Sequence, residues 1–208
     1  MEPSPTPGGT PAAPRPDPLP ALAAAVRALP ASCGPVRLVA VDGHAGSGKS
    51  TFAARLAVAL GGAPVVHLDD LATHEELFGW TARLREWVLE PLARGRDAGY
   101  PVYDWTARRF AGRAVVPCAP VVLVEGVGAG RSALRDHLAR IVWMDTSRDE
   151  SWRRGRRRDG PELAVFWRGW MRAENAHFAA DPTRPHADLL VRQVPDGYQV
   201  LPGPGRQP

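Results

Sequence analysis

The segment Gly43-His44-Ala45-Gly46-Ser47-Gly48-Lys49-Ser50 matches the phosphate-binding loop pattern G-x-x-x-x-G-K-[ST] at every fixed position. Of the 26 Lys+Arg positions in the chain, Lys49 is the one lysine. A compact ammonium on a flexible stem can follow a phosphoryl group as it moves; a planar guanidinium is too wide for a loop that wraps it. The chemistry implied is nucleoside triphosphate binding. Gly43 opens the loop, Gly46, Ser47, Gly48 and Lys49 cradle the phosphates, the Ser50 hydroxyl is placed for Mg²⁺, and Thr51 lies near the α-phosphate. Two acids extend this set. Asp69 is the candidate acceptor for a substrate hydroxyl proton and a candidate metal ligand, and Glu125 takes the place of a Walker B acid in the Mg²⁺ shell. Either acid alone reads equally well as a strand-ending cap; the pair beside a phosphate loop favours chemistry.

The cluster Arg153-Arg154-Gly155-Arg156-Arg157-Arg158 has two readings. One is a solvated basic patch. The other, preferred in a chain with a phosphate loop, is a lid over about residues 147–161 whose arginines neutralise the migrating phosphate and exclude water, with Arg154 and Arg158 facing inward. Three other sites carry weaker signals. His44 fills a free position of the loop pattern, and His67 reads as a core histidine. Glu174 and His177, at i and i+3, lack a third metal ligand nearby.

These residues need a frame. Arg37–Asp42 reads as a buried strand leading into the loop, and Ser50–Leu60 as the helix that follows, with Phe52, Leu56 and Leu60 on one face and Gly61-Gly62 as its stop. A helix N-terminus behind the loop aims backbone N–H groups at phosphates. Further strands are expected at 64–68, 121–124, 140–144 and 187–192, with an edge strand at 198–201. Helices are expected at 21–29, along the stripe Leu77–Leu92 (interrupted by Pro91), and through Leu163–Phe178, while 99–117 reads as irregular and aromatic-rich. Strands apolar along their whole length, alternating with helices, mean a doubly wound, mainly parallel sheet with helices on both faces: an α/β P-loop NTPase fold. Its chemistry belongs at the carboxyl ends of the strands, where the loop, Asp69 and Glu125 fall.

The 208 residues, 44% of them hydrophobic, suit one domain at 21–202 behind a disordered Pro-rich tail at 1–20, with a short tail at 203–208. Cys33 and Cys118 match no metal or redox spacing, and no apolar run approaches a membrane span, so a cytoplasmic location is expected. The net charge of +4 is a weak basis for nucleic-acid binding, and no helicase-type or ABC-type signature is present.

The order Gly43–Thr51, Leu68-Asp69-Asp70, Pro101-Val102-Tyr103-Asp104-Trp105, Val122-Leu123-Val124-Glu125-Gly126, an Arg-rich lid and Pro182-Thr183…Ala187-Asp188 resembles the uridine kinase/phosphoribulokinase family of P-loop kinases. The resemblance runs from about Val36 to Val194, and Pro-Val-Tyr-Asp-Trp is its most specific part. It implies transfer of the ATP γ-phosphate to a hydroxyl of a small molecule, with Asp69 as the catalytic aspartate, Ser50 and Glu125 in the Mg²⁺ shell, and Tyr103 and Trp105 in the substrate pocket. Nucleoside-specific members carry a ribose-gripping aspartate where this chain reads Glu75-Glu76-Leu77-Phe78-Gly79-Trp80, and a histidine where it has Arg108. Arg108 and Arg109 then suggest an acceptor with a ring or apolar body and an acidic group, rather than plain uridine or cytidine. The rival reading is a P-loop ATPase that switches conformation without a metabolite acceptor. Homo-oligomer formation is left open.

Overall fold

The computed structural model describes residues 16–205. Six strands form one sheet in the order β2-β5-β1-β6-β7-β8: β1 (Arg37–Asp42), β2 (Val65–His67), β5 (Val121–Glu125), β6 (Arg140–Met144), β7 (Leu189–Val194) and β8 (Gly197–Pro202). All neighbours run parallel except β7 and β8, an antiparallel pair at one edge. Alternate residues of the central strands feed two cores. Leu38, Ala40, Val122 and Val124 pack with Trp80, Leu84, Val88, Leu92 and Tyr100 on one face. Val39, Val41, Leu123, Val142 and Met144 pack with Leu22, Val26, Phe52 and Leu56 on the other. Both faces are covered, which is why these strands read as continuous apolar runs.

Helix α1 (Leu19–Arg27) and helix α2 (Lys49–Ala59) cover the second face. Buried Leu19 lies inside the stretch expected to be tail, while the rest of the two expected tails, residues 1–15 and 206–208, lies outside the described residues. At the other end, Gly203 and Gly205 donate backbone hydrogen bonds to Asp188 and Ala187 and so belong to the fold.

Two segments depart from the expected elements. The stripe expected as one helix from Leu77 starts only at Thr81: α3 (Thr81–Leu84) passes through a π-turn (Arg85–Leu89) into α4 (Glu90–Ala93). Glu90 N–H donates to Arg85 O, five residues back, just before Pro91, which has no N–H to continue an ordinary ladder. The stretch read as irregular is a separate antiparallel hairpin, β3 (Ala98–Asp104) and β4 (Arg109–Val116), whose register shifts between Pro101 and Tyr103. A proline at an irregular point of a two-stranded ribbon costs no ladder bond that a central strand would need. After β5 come α5 (Ser132–Arg135), α6 (Arg148–Asp159), which holds the arginine cluster, and α7 (Ala164–Ala180).

The register places the functional ends side by side, with Val41 opposite Glu125 and His67 opposite Glu125 on the other side. Asp42, fully buried at the end of β1, locks the loops there. Its carboxylate accepts from Gly43 N (2.7 Å), Gly128 N (2.8 Å), Gly130 N (3.0 Å) and Thr183 Oγ1 (2.6 Å). A buried carboxylate with four donors is satisfied and rigid. Thr183 thus serves the scaffold, as does Asp188, which accepts from Ile141 N at 2.7 Å. No helix among the described residues is long and apolar enough to cross a membrane.

Candidate active site

The strand β1 delivers the chain to Gly43 (φ 149°), and Gly46 (φ 84°) and Gly48 (φ 93°) take left-handed conformations that a side chain would strain. The loop closes on itself through Ser47 N–H to His44 O (3.0 Å) and Lys49 Nζ to His44 O (3.0 Å). Helix α2 starts at Lys49, so its unpaired N–H groups and its positive end face the loop. Of the residues predicted to hold nucleotide, Gly46, Gly48, Lys49, Ser50 and Thr51 line a cavity of about 630 Å³. Gly43 and Ser47 stand behind it; a Cβ on Gly43 would lie 2.9 Å from Ser47 Oγ and 3.0 Å from Met144 Cβ.

The same cavity also carries Asp69 and Glu125. Glu125 is buried, and its Oε1 accepts from Ser50 Oγ (3.0 Å) and from His67 Nδ1 (2.6 Å). Burial alone would raise the Glu125 carboxyl, but the bond from His67, the Lys49 ammonium and the Ser50 hydroxyl bring it below the usual carboxylate range. The His67 ring is pushed up, first by that bond to Glu125. It is 47% exposed, which corrects the expectation of a core histidine: β2 is the sheet's outer strand and its last residue faces out. Asp69 faces the cleft, yet the protein around it desolvates the carboxyl and, with Glu125 beside it, pushes it up against the pull of Lys49. Its backbone carbonyl is held by Trp105 Nε1 at 3.0 Å. The Ser50 hydroxyl and the two carboxylates are hard oxygen donors around one space, a set that fits Mg²⁺. Glu174 and His177, by contrast, have no such role: both Glu174 oxygens are occupied by N–H groups, and no group of three His, Cys, Asp or Glu side chains among the described residues could hold a metal.

Helix α6 closes one side, with Arg154, Gly155 and Arg158 lining the cavity. Arg154 is held by Glu150 (2.7 Å) and Gln193 (3.3 Å), and Arg158 grips Asp159 with two bonds (2.6 and 3.1 Å). The far wall is aromatic: His74, Trp105, Phe166, Trp167 and Trp170, with Leu163 and Val127. His74 packs against Trp105 (4.8 Å between ring centres) and Phe166 (6.1 Å), and its Nδ1 lies 2.9 Å from the Tyr103 hydroxyl. Desolvation, then Arg108, pushes the His74 ring down, so it stays neutral near pH 7.

Three predicted substrate residues are not on that wall. Tyr103 is buried and meets the wall through its hydroxyl contact with His74. Arg108 and Arg109 are exposed and outside the cavity. The turn explains this: Asp104 Oδ1 accepts from Thr106 N and Ala107 N (both 2.8 Å), and Arg108 takes a left-handed φ of 54° and meets Glu75 at 3.5 Å. Sequence reasoning missed His74 and the α7 aromatics as site residues. Their signal was present in the helical spacing of Phe166, Trp167 and Trp170, but that pattern is the same for a core face.

No family model and no curated protein matches the sequence. Solved structures do. A "possible uridine kinase" from Bacillus stearothermophilus matches over 83% of this chain and 96% of its own, with a TM-score of 0.59 at 19% identity. A "putative fructose transport system kinase" from Silicibacter sp. TM1040 matches over 77% of this chain and 88% of its own, with a TM-score of 0.50 at 22% identity. At such identities the likeness is one of fold: the chain has the α/β fold of P-loop kinases.

Proposed function

We propose that this protein is an ATP- and Mg²⁺-dependent kinase that transfers the γ-phosphate to a hydroxyl of a small molecule. One observation carries the reading. The cavity that holds the phosphate loop also holds Asp69 and an aromatic wall, so nucleotide and acceptor share one enclosure. A nucleotide switch needs the loop but has no use for a stacking wall opposite it. Lys49 and the loop N–H groups would hold the phosphates, and Arg154 and Arg158 would offset charge on the migrating group. Asp69 would take the hydroxyl proton, placed on the cavity beside Lys49 and Glu125. Ser50 and Glu125 would hold Mg²⁺, which would supply charge neutralisation for the phosphates, with Asp69 beside them left free as the base.

The wall also bears on the acceptor. Arg108 and Arg109 do not line the cavity, so the acceptor reading is taken from the wall itself. The acceptor is an uncharged hydroxyl compound with a ring or apolar body, seated among His74, Trp105 and Phe166. An ADP-release screen over hydroxyl compounds, charged and uncharged, tests this. Release stimulated by an uncharged ring compound supports it, while release indifferent to every compound would favour the switch.

A further inference from the structure

Glu174, in the middle of α7, has no exposed surface, and both its oxygens are taken. Oε1 accepts from His44 Nδ1 (2.7 Å) and Trp152 Nε1 (3.0 Å). Oε2 accepts from Ala45 N (3.2 Å) and Trp170 Nε1 (2.7 Å). His44 and Ala45 belong to the phosphate loop, Trp152 to α6, and Trp170 to the preceding turn of α7. One buried carboxylate therefore fastens the loop, the arginine-bearing helix and the acceptor-side helix together. Burial opposes its charge, but the bonds from His44 and Trp170 bring the carboxyl below the usual range, so it is ionised and can only accept.

A second set of contacts shows how tight the junction is. A Cβ on Gly46 would come within 2.1 Å of Ser151 O and 2.8 Å of Gly155 N, so α6 rests directly on the loop backbone. A Cβ on Gly155 would come within 2.4 Å of the Trp167 ring, so α6 is also seated against α7. Both Arg154 and Arg158 project from this wedged helix into the cavity. An apolar side chain at position 174 would fill the same space at less desolvation cost. What the carboxylate adds is direction: it sets where α6 stands relative to the loop.

We propose that Glu174 is a positioning residue for phosphoryl transfer, locking the phosphate loop to α6 so that Arg154 and Arg158 meet the terminal phosphate of the bound nucleotide. The proposal rests on the kinase reading of the cavity. It differs from a plain packing role in what it does to two nucleotides. Arg154 and Arg158 are the cations that α6 places on the cavity, so on this proposal loosening α6 weakens a triphosphate more than a diphosphate. Loss of packing alone weakens both alike.

The test uses the full chain with Mg²⁺, titrated calorimetrically with ADP and with the non-hydrolysable triphosphate adenylyl imidodiphosphate. Trp152→Phe removes one N–H while keeping an aromatic ring. It should weaken the triphosphate analogue about tenfold relative to ADP, with ADP itself within about threefold of wild type, the scale of one hydrogen bond to a charged group. Glu174→Gln should shift the ratio in the same direction, and the double variant should shift it no further than Glu174→Gln alone, because both act through one junction. If Glu174→Gln does not fold, Trp152→Phe carries the test. Equal weakening of both nucleotides, an unchanged ratio, or additive shifts in the double variant would overturn the proposal. A wild-type chain that binds neither nucleotide would instead overturn the reading of the cavity on which it rests.

Discussion

Lys49 and Asp69 line the same cavity and have separable tasks. Lys49→Arg should abolish turnover while thermal unfolding stays near wild type, because the wider guanidinium does not fit a loop that already folds back to His44 O. Turnover within a few fold of wild type would contradict that assignment. Asp69→Asn should retain nucleotide affinity and lose transfer by about 10²–10⁴-fold, the usual worth of a positioned base. A collapse of nucleotide binding would mark Asp69 as chiefly a metal ligand. At this scale the loop, Asp69 and Glu125 were legible because each sits in a local pattern, a glycine spacing or the end of an apolar run. The bonds from His67 to Glu125 and from His44 to Glu174 were not. They join residues 58 and 130 positions apart, and no local pattern encodes such a meeting.

The hairpin and the short helix α5 each carry a measurable consequence. Arg108 occupies a left-handed conformation, and its exposed contact with Glu75 is worth little. Arg108→Gly should therefore raise stability by about 1 kcal/mol in denaturant unfolding, with turnover within a few fold of wild type because the residue lies outside the cavity. A large loss of turnover would return Arg108 to the substrate site. At α5, Asp181 accepts from Ser132 N (2.9 Å), Ser132 Oγ (2.8 Å) and Arg135 (2.9 Å). Burial would raise its carboxyl, but the Ser132 bonds and Arg135 outweigh it and hold it below the usual range. A depressed carboxyl contributes stability above its unfolded value and loses it as pH falls through the folded one. Asp181→Asn should cost about 1 kcal/mol at pH 7, and the difference should begin to shrink as pH drops below the ordinary aspartate value of about 3.9 and vanish only below the depressed native value. An equal cost at both pH values would show that charge is not involved. The elements legible from sequence were those with an unbroken period, such as β1, β5, β6 and α2. The hairpin was obscured by Gly99, Pro101 and its register shift, and the start of α3 by an apolar stripe that continues through the turns before it.

Across the whole molecule, the sheet order β2-β5-β1-β6-β7-β8 brings the loop after β1, the end of β2 and the end of β5 to one edge. That convergence was foreseeable, since continuous apolar strands alternating with helices admit few arrangements. The seating of α6 between the phosphate loop and α7 was not, because it depends on the small glycines Gly46 and Gly155 meeting Ser151 and Trp167. The central claim is that phosphate leaves ATP for a carbon-bound hydroxyl and not for water. The most direct measurement follows the phosphorus itself, by ³¹P NMR of Mg·ATP with the protein and the best compound from the ADP-release screen. The account predicts that the γ-phosphorus signal is replaced by that of a phosphate monoester on that compound, and that Lys49→Ala produces none. Conversion of the γ-phosphorus to inorganic phosphate alone, whatever compound is present, would contradict it.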